Sequence, residues 1–389
     1  MPFLFILGLA AFASAFSLRA VDPMLNILAA DLGVSLAQVA VLASAFTLPY
    51  AAFQLVFGPI GDAVGKLRLV RVNLTVLALG LAGSALAGSH EVLLVTRVFS
   101  GAFAGGIIPV VLAMVGDRVS FDQRPVALSR ILLALVLGQL SGSALSGFIA
   151  AYAGWRDVFW AASALAAVAA LACMLGMKEL QTRGPLSFGT SIARYGVVLR
   201  NPLSIKVYGV VALEGIFTFG AFPMMAPLMV AHGFGDAVEA GLMLGGFAVG
   251  GAFYSFAVPV LVRALGLGGM AGVGAATVGL LLMATAVAPM FALALGMFTL
   301  AGFCFYMIHN VLQILATELA PEARGSALAL FATSFFVGQA VGAILHATVA
   351  DRFGPTAVFV LCGVVMVAIA WPASRLAPRG GAVGPAESE

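Results

Sequence analysis

Charged residues are scarce in this chain. Only 9% of its 389 residues are Asp, Glu, Lys or Arg, whereas 62% are hydrophobic. A soluble domain of this composition would expose large apolar patches, so most of the surface is expected to face lipid. The formal net charge of +3 is small, and we expect no nucleic-acid partner. The composition excludes an ordinary soluble globular protein and predicts a membrane protein.

Cysteines and enzyme motifs are also few. The three cysteines, Cys173, Cys304 and Cys362, lie in apolar stretches without metal-ligand spacing and are interpreted as packing residues. No G-x-x-x-x-G-K-[ST] loop occurs, which disfavours transport driven by ATP. Gly61-Asp62 and Gly116-Asp117 faintly resemble an aspartyl protease motif, but both fall at predicted loops. With no Ser-His or metal-binding pattern either, the sequence predicts no enzyme, no cofactor and no metal.

Twelve apolar stretches are long enough to cross a membrane as helices, because one crossing needs about 20 residues. They lie near 3–30, 36–57, 69–88, 92–115, 126–150, 157–177, 204–230, 239–261, 270–288, 290–314, 326–349 and 356–374. The first is longer than one span, and we predict a single helix kinked near Pro23. Its beginning imitates a signal peptide but has no positive n-region, so it is predicted to be retained. The predicted fold class is an all-α membrane protein.

The Lys and Arg residues predict the orientation. Of the 19, Arg19 and Arg97 fall inside spans. If the N-terminus is cytoplasmic, fifteen of the other seventeen fall on the cytoplasmic side, and only Arg156 and Arg352 fall outside. This asymmetry follows the positive-inside rule. It predicts a multi-pass protein of the bacterial cytoplasmic (inner) membrane with both termini in the cytoplasm.

An internal repeat predicts two halves. Residues 200 positions apart match in the fifth and eleventh spans, where Gly138, Gln139 and Gly142 correspond to Gly338, Gln339 and Gly342. A polar stretch at 178–203 separates the halves. We therefore predict an N-terminal six-helix bundle at 1–177, a cytoplasmic linker at 178–203, a C-terminal six-helix bundle at 204–375 and a disordered cytoplasmic tail at 376–389. Parallel repeats of this kind are typical of transporters, which bind substrate between their halves.

Four ionisable residues, Arg19, Asp22, Arg97 and Glu214, fall inside these apolar spans. A charge at the centre of a membrane helix costs about 2.5–3.5 kcal/mol even on an insertion scale. We therefore expect the four to face an internal cavity and to act in proton coupling. From a rise of about 1.5 Å per residue, the first three lie in the outer half of the bilayer and Glu214 at the midplane.

The role of each of these residues has more than one possible interpretation. Arg19 and Asp22 are i, i+3 neighbours, and Arg97 is close enough in depth to reach Asp22. They form either a proton switch at Asp22, a permanent ion pair, or an anion-binding pocket. Glu214 has no cation of its own half at its depth, and is either a proton carrier or a protonated acid bonded to a neighbouring helix.

Uncharged polar residues extend the predicted cavity. Gln139 and Gln339 lie near mid-depth on repeat-related helices, and His309, Asn310 and Gln313 lie on the inner third of the tenth span. Each is either a substrate contact or a hydrogen-bond partner of a neighbouring helix, worth about 0.6 kcal/mol.

The loop between the second and third spans reads GPIGDAVGKLRLVR. It resembles the signature of the major facilitator superfamily, G-x-x-x-D-[RK]-x-G-[RK]-[RK], although Ala63 and Leu67 replace basic residues. The resemblance implies the major facilitator fold of two pseudo-symmetric six-helix bundles, and a cytoplasmic gate in which Asp62 and nearby cations latch that face in one state and release it in the other. The residues that carry this signature are Gly58, Gly61, Asp62, Gly65, Lys66 and Arg68.

Two further motifs resemble the twelve-helix drug/proton antiporter branch of that superfamily, which includes arabinose-efflux permeases. The fourth span carries Arg97 with Gly101 and Gly105 at four-residue spacing, and the fifth carries Gly138, Gly142 and Gly147. Serines stand where the fifth-span motif of the branch has proline and glycine, which weakens the inference of antiport more than that of fold. In this branch the arginine takes part in proton coupling.

The sequence thus predicts a monomeric secondary transporter that works by alternating access. Its predicted partners are a small-molecule substrate, protons and the lipid bilayer. The favoured function is proton-coupled efflux of a small, partly apolar organic compound. The alternative is proton-coupled uptake of a polar or anionic solute gripped by Arg19 and Arg97.

Overall fold

The computed structural model describes residues 2–120, 123–179 and 188–377. Within these ranges, eleven helices are long and apolar enough to cross a membrane, and the longest, Ala237–Thr285, divides at Gly266 into two. The twelve crossing helices are α1 Pro2–Leu32, α2 Leu36–Val64, α3 Lys66–Ala85, α4 His90–Arg118, α5 Arg124–Tyr152, α6 Trp155–Gly176, α7 Ser204–Ala231, α8 237–265, α9 267–285, α10 Phe291–Glu318, α11 Arg324–Phe353 and α12 Pro355–Leu376. The predicted all-α architecture of twelve crossings is confirmed.

A shorter helix, Phe188–Arg200, precedes α7 and is called the linker helix. It contacts both halves, since the Tyr195 hydroxyl donates to the Leu55 carbonyl of α2 at 3.2 Å and the helix also packs on α11. Residues 180–187 of the predicted linker and 378–389 of the predicted tail lie outside the described residues. The predicted boundaries at 177, 203 and 375 remain predictions.

Because the number of crossings is even, the first and last crossing helices begin and end at the same face. We call the face that carries Pro2 and Leu376 the terminal face, and the opposite face the distal face. Helices α1, α3, α5, α7, α9 and α11 run from the terminal face to the distal face, and the others run back.

The internal repeat predicted from the sequence reappears in how the helices pack. Gly138 and Gly142 of α5 lie against the carbonyls of Phe12 and Phe16 in α1, so closely that a Cβ atom at either glycine would collide with that backbone. Two hundred residues later, Gly338 and Gly342 of α11 lie against the carbonyls of Ala212 and Ile216 in α7. The same residue offsets make the same close backbone contacts in both halves, because only glycine leaves room for them.

The second pair of helices repeats as well. Gly101 of α4 lies against the backbone of Phe46 in α2, and Gly302 of α10 lies against the backbone of Phe247 in α8. The two glycines are 201 residues apart in the sequence, and so are the two phenylalanines whose backbone they contact. The two halves are copies of one packing scheme, as the fold class requires.

The halves meet closely toward the distal face. Gly147 of α5 lies against the carbonyl of Ala237, the first residue of α8, and Gly241 of α8 lies against the backbone of Ser143 and Ala144. Between α2 and α11, the Ser44 hydroxyl donates to the Ala340 carbonyl at 2.7 Å. In this state the distal ends of the two bundles are packed together.

Helices α1 and α7 are broken at corresponding positions. In α1 the regular helix ends at Arg19, and a 3₁₀ turn, Asp22–Met24, leads into a last helical piece, Leu25–Leu32. Pro23 removes a backbone donor and restricts the residue before it, which explains the break that the sequence predicted here. In α7 a 3₁₀ segment, Phe219–Met224, plays the same part, and the two irregular segments contact each other across the interface between the halves.

Candidate functional site

The four ionisable residues predicted in the spans are all enclosed by protein. Arg19, Asp22, Arg97 and Glu214 are at most 2% exposed. None of them therefore points toward the lipid-facing surface. Burial of charge at this depth is costly unless each group finds a partner, so the partners of each residue decide what it can do.

Arg19 and Asp22 form an ion pair at the break in α1. Arg19 is the last residue of the regular helix and Asp22 begins the 3₁₀ turn, so the irregular backbone brings the two side chains together. The Arg19 Nη1 lies 3.2 Å from the Asp22 Oδ2. The pair is nearly neutral as a whole, which lowers the cost of burying both groups.

Arg19 also joins the two halves. Its Nη2 donates to the side-chain oxygen of Gln339 in α11 at 3.3 Å, and its guanidinium lies 4.5 Å from the ring centre of Phe219 in the break of α7. The guanidinium thus has a carboxylate in its own half, and an amide oxygen and an aromatic face in the other. Of the predicted cavity residues, Gln339 is placed directly on this contact.

Arg97 is positioned inside the N-terminal half rather than on the interface. Its Nη1 donates to the Ser17 carbonyl and its Nε to the Leu42 carbonyl, both at 3.4 Å, and the guanidinium lies 4.1 Å from the ring centre of Phe46. It interacts electrostatically with Asp22. Its hydrogen bonds, however, go to backbone carbonyls, and its Nη2 is buried without a partner.

Glu214 and His309 form a second buried pair, in the C-terminal half. The Nδ1 of His309 in α10 lies 3.0 Å from the Oε2 of Glu214 in α7. Glu214 was expected to have no cation of its own half at its depth, and α10 instead brings it the imidazole of His309, which is a cation only when protonated. The other carboxyl oxygen, Oε1, is buried without a partner. This pair can hold one proton at either member.

Aromatic rings surround His309. The ring centres of Phe331 and Phe335 in α11, and of Phe305 one turn earlier in α10, lie 5.0–5.1 Å from the imidazole. Nevertheless the His309 side chain is 17% exposed, whereas Glu214 is fully buried. The imidazole is therefore the part of the pair that an approaching molecule reaches first.

Tyr306 lies between the two pairs. It interacts electrostatically with both Arg19 and Glu214, and its ring centre lies 6.1 Å from that of His309. Gly251 of α8 leaves the space that its ring occupies, since a Cβ atom there would collide with the ring. No sequence pattern placed Tyr306 between the two pairs.

The remaining cavity candidates are less firmly placed. Gln139 of α5 and Asn310 of α10 are half-buried, and Gln313 is exposed. The structure brings neither Gln139 nor Gln313 into the two pairs described above. They remain predictions.

The signature loop forms a charge cluster at the terminal face. The Nζ of Lys66 lies 3.3 Å from Asp62 and 2.7 Å from Asp117 at the end of α4. The Asp62 side chain is 62% exposed. Gly65 has φ +102°, a conformation that other residues rarely adopt, and forms the sharp turn between α2 and α3. These ion pairs join elements of the same half.

Glu179 was missed by sequence reasoning. Its two carboxyl oxygens accept hydrogen bonds from the backbone amides of Leu67 and Arg68 at 3.1 and 2.7 Å, so it caps the beginning of α3. The Arg118 side chain donates to the Lys178 carbonyl at 2.6 Å beside it. Only the fold reveals this cap, because more than a hundred residues separate the partners.

Comparisons with known proteins agree with this architecture. The sequence pattern of the Major Facilitator Superfamily matches residues 7–323 and 263–389. The uncharacterized transporter YgaY of Escherichia coli O157:H7 is 27% identical over 345 residues, which cover 84% of this chain and 83% of that protein. The MFS efflux transporter aclA of Aspergillus oryzae is 27% identical over 197 residues, 49% of this chain and 35% of that protein.

Among solved structures, a D-xylose–proton symporter is similar, with a TM-score of 0.74 and 14% sequence identity, over 97% of this chain and 99% of that one. At that identity the likeness speaks for the fold alone. The family match, by contrast, covers the whole length of both halves. The chain is therefore a multi-pass membrane transporter of the Major Facilitator Superfamily, and not an enzyme.

Proposed function

We propose that this transporter works by alternating access and exports a small, partly apolar organic compound in exchange for protons. The observation that carries the proposal is the pair of buried carboxyl groups in opposite halves. Asp22 is held by Arg19, and Glu214 is held by His309. Each half thus contains a buried acid that is bonded to an ionisable partner, and the two halves must move apart during transport.

Glu214 and His309 are the proposed proton carrier. The imidazole and the carboxyl are in direct contact at 3.0 Å, so a coupling proton has two neighbouring sites between which it can move. Binding one proton changes the net charge of a group at mid-depth, where each charge is expensive. Proton loading therefore changes the relative free energy of the states in which the pair is enclosed or solvated.

Arg19 is the proposed link between proton binding and movement. In the distally closed state it bonds to Asp22 within its half and to Gln339 across the interface. Protonation of Asp22 removes its counter-charge, so the balance between these partners changes. Separation of the halves must break the bond to Gln339 and the contact with Phe219.

Aromatic residues at the interface favour a partly apolar substrate. The rings of Phe331, Phe335 and Tyr306 pack around the imidazole of His309, so a molecule in contact with His309 has mainly aromatic carbon next to it. Efflux is further supported by the likeness to aclA, which is named an efflux transporter. The terminal face carries most of the Lys and Arg residues, so we propose that it is cytoplasmic, in a bacterial inner membrane, and that the protein acts as a monomer.

Proton-coupled uptake of a polar or anionic solute is the second candidate. The unpartnered Nη2 of Arg97 is the observation in its favour, because a buried donor without an acceptor attracts an anion. Against it, Arg19 is already bonded to Asp22 and Gln339, and Arg97 is fully buried between α1, α2 and α4. Two arginines are thus not free to grip one anion in this state.

Reconstitution in liposomes tests the proposal. We expect an imposed pH gradient to drive substrate in the direction opposite to proton flow, and Glu214→Gln and Asp22→Asn to abolish that dependence. Glu91→Gln is the matched control, because Glu91 is an exposed acid at the distal end of α4. Flux in the same direction as protons would establish the uptake candidate instead. Proton coupling at these acids would be refuted if substrate flux did not respond to the pH gradient. It would also be refuted if both variants kept the full response of the unmodified protein to that gradient.

A further inference from the structure

A hydrogen bond between the two halves lies at the distal face, apart from the residues discussed so far. The Nδ2 of Asn26, in the last piece of α1, donates to the Oδ1 of Asp236 at 2.8 Å. Asp236 immediately precedes α8 and caps it together with Glu239. Both partners line a shallow depression at the distal face, with Asp31 and Val230 on its rim. We propose that Asn26 and Asp236 form the distal gate latch of this transporter, which must open for the distal face to reach the cavity.

The position of Asn26 ties the latch to the buried ion pair. Asn26 lies one helical turn after Asp22, on the same segment that follows the break in α1. The far end of this segment is fixed to its own half, because Asp31 accepts hydrogen bonds from Trp155 at 2.8 Å and Arg156 at 2.9 Å. The segment therefore moves with the N-terminal half, and the bond to Asp236 has to break when the halves part.

The charge around Asp236 adds a dependence on pH. Burial raises the pKa of Asp236 above its usual value of 3.8, and Glu239 raises it further, whereas the bond from Asn26 lowers it. Asp31, which is paired with Arg156, also lines the depression, and His232 follows the last helical piece of α7, four residues before Asp236. The closed latch therefore holds a proton more readily than the open one, in which Asp236 is hydrated. Acid on the distal side is expected to favour the closed state, and this effect develops as the pH falls through the raised closed-state pKa of Asp236 toward its usual value.

Two substitutions are expected to act in opposite directions. Asn26→Ala removes the donor and leaves the cap of α8 intact, so it favours the distally open state. Asp236→Asn keeps an acceptor for Asn26 and a good helix cap, but it removes the half-buried charge. It therefore imitates the protonated acid and favours the closed state. If these residues had a purely structural role, both variants would be less stable, and they would not shift the equilibrium between open and closed states in opposite directions.

Distance measurements between spin labels in the full-length protein test this. Leu86 and Val287 are exposed at the distal ends of α3 and α9, one in each half, and the native cysteines are buried. In the double-label background Leu86→Cys/Val287→Cys, we expect Asn26→Ala to raise the ratio of long to short distances about fivefold, as loss of one hydrogen bond predicts. Asp236→Asn is expected to lower the ratio and to remove its pH dependence.

Glu91→Gln is the control, because Glu91 is an exposed acid at the distal end of α4 and takes no part in the latch or in the anchoring of its segment. It should leave the ratio within twofold of the parent protein. The proposal is overturned if Asn26→Ala changes the ratio by less than twofold, or if Asn26→Ala and Asp236→Asn shift it in the same direction. These distances are read without substrate or gradient, so the outcome is independent of whether transport is coupled to protons.

Discussion

At the residue scale, the sequence placed Glu214 and His309 correctly on their helices but not with each other. The depth of a residue follows from its distance along a helix, which is why Glu214 was expected near the midplane. Which face of α10 turns toward α7 depends on the packing of both helices against α11, and no pattern in a single sequence fixes that. His309 was therefore a separate candidate until the 3.0 Å contact joined the two.

The pair gives a stability prediction. We expect His309→Ala to destabilise the protein by about 3 kcal/mol, because it leaves a buried carboxylate without its partner. Adding Glu214→Gln should recover most of that loss, since the neutral amide has no charge to compensate. Thermal unfolding in detergent measures both, and the double-mutant cycle gives the coupling between the residues. Additive effects of the two substitutions would show that the pair is not coupled.

At the element scale, the sequence predicted the repeat and the kink at Pro23. It did not predict the break in α7 at Phe219–Met224, although Pro223 lies inside it. The residues on both sides of this break and within it are apolar, so a hydropathy pattern predicts one continuous span here. The division of the longest helix at Gly266, where φ is +63°, falls between two spans that were predicted at 239–261 and 270–288. Hydropathy thus finds the spans, and backbone geometry decides where each one bends.

The glycines of α4 give a prediction about helix packing. Gly105 lies against the Tyr50 carbonyl of α2, and a Cβ atom there meets fixed backbone rather than a side chain that can turn away. We expect Gly105→Ala to force α2 and α4 apart and to destabilise the protein by about 2 kcal/mol or more. Gly116→Ala, on the same helix, has no atom near its new methyl group and should be neutral or slightly stabilising. Thermal unfolding in detergent compares them, and equal midpoints would contradict this account of the motif.

At the scale of the whole molecule, composition alone predicted the class, and the Lys and Arg pattern predicted the topology. What the sequence could not predict is the conformational state. The distal contacts at Gly147, Ser44 and Asn26 hold the two bundles together at one face. The ion pairs of the signature cluster, by contrast, join elements within the N-terminal half. Alternating access requires a second state in which these distal contacts are broken.

The signature residue Asp62 is therefore expected to act mainly on the distally open state. In the distally closed state its exposed side chain pairs with Lys66 one turn away, an interaction worth about 0.3–0.5 kcal/mol. The family resemblance implies that it latches the terminal face in the opposite state. We expect Asp62→Asn to lower the ratio of long to short distances between labels at Leu86 and Val287 about fivefold, opposite to Asn26→Ala.

Asp117→Asn serves as the control for that experiment, because Asp117 bonds to the same Lys66 at 2.7 Å but is not part of the signature. It should change the ratio by less than twofold. Asp62 and Asn26 lie at opposite faces, so their effects should add as free energies, and the double variant should return the ratio close to that of the parent protein. A double variant that behaves like either single variant would mean that the two faces do not share one equilibrium. Alternating access requires that they do, since closing one face and opening the other are a single movement of the same two bundles.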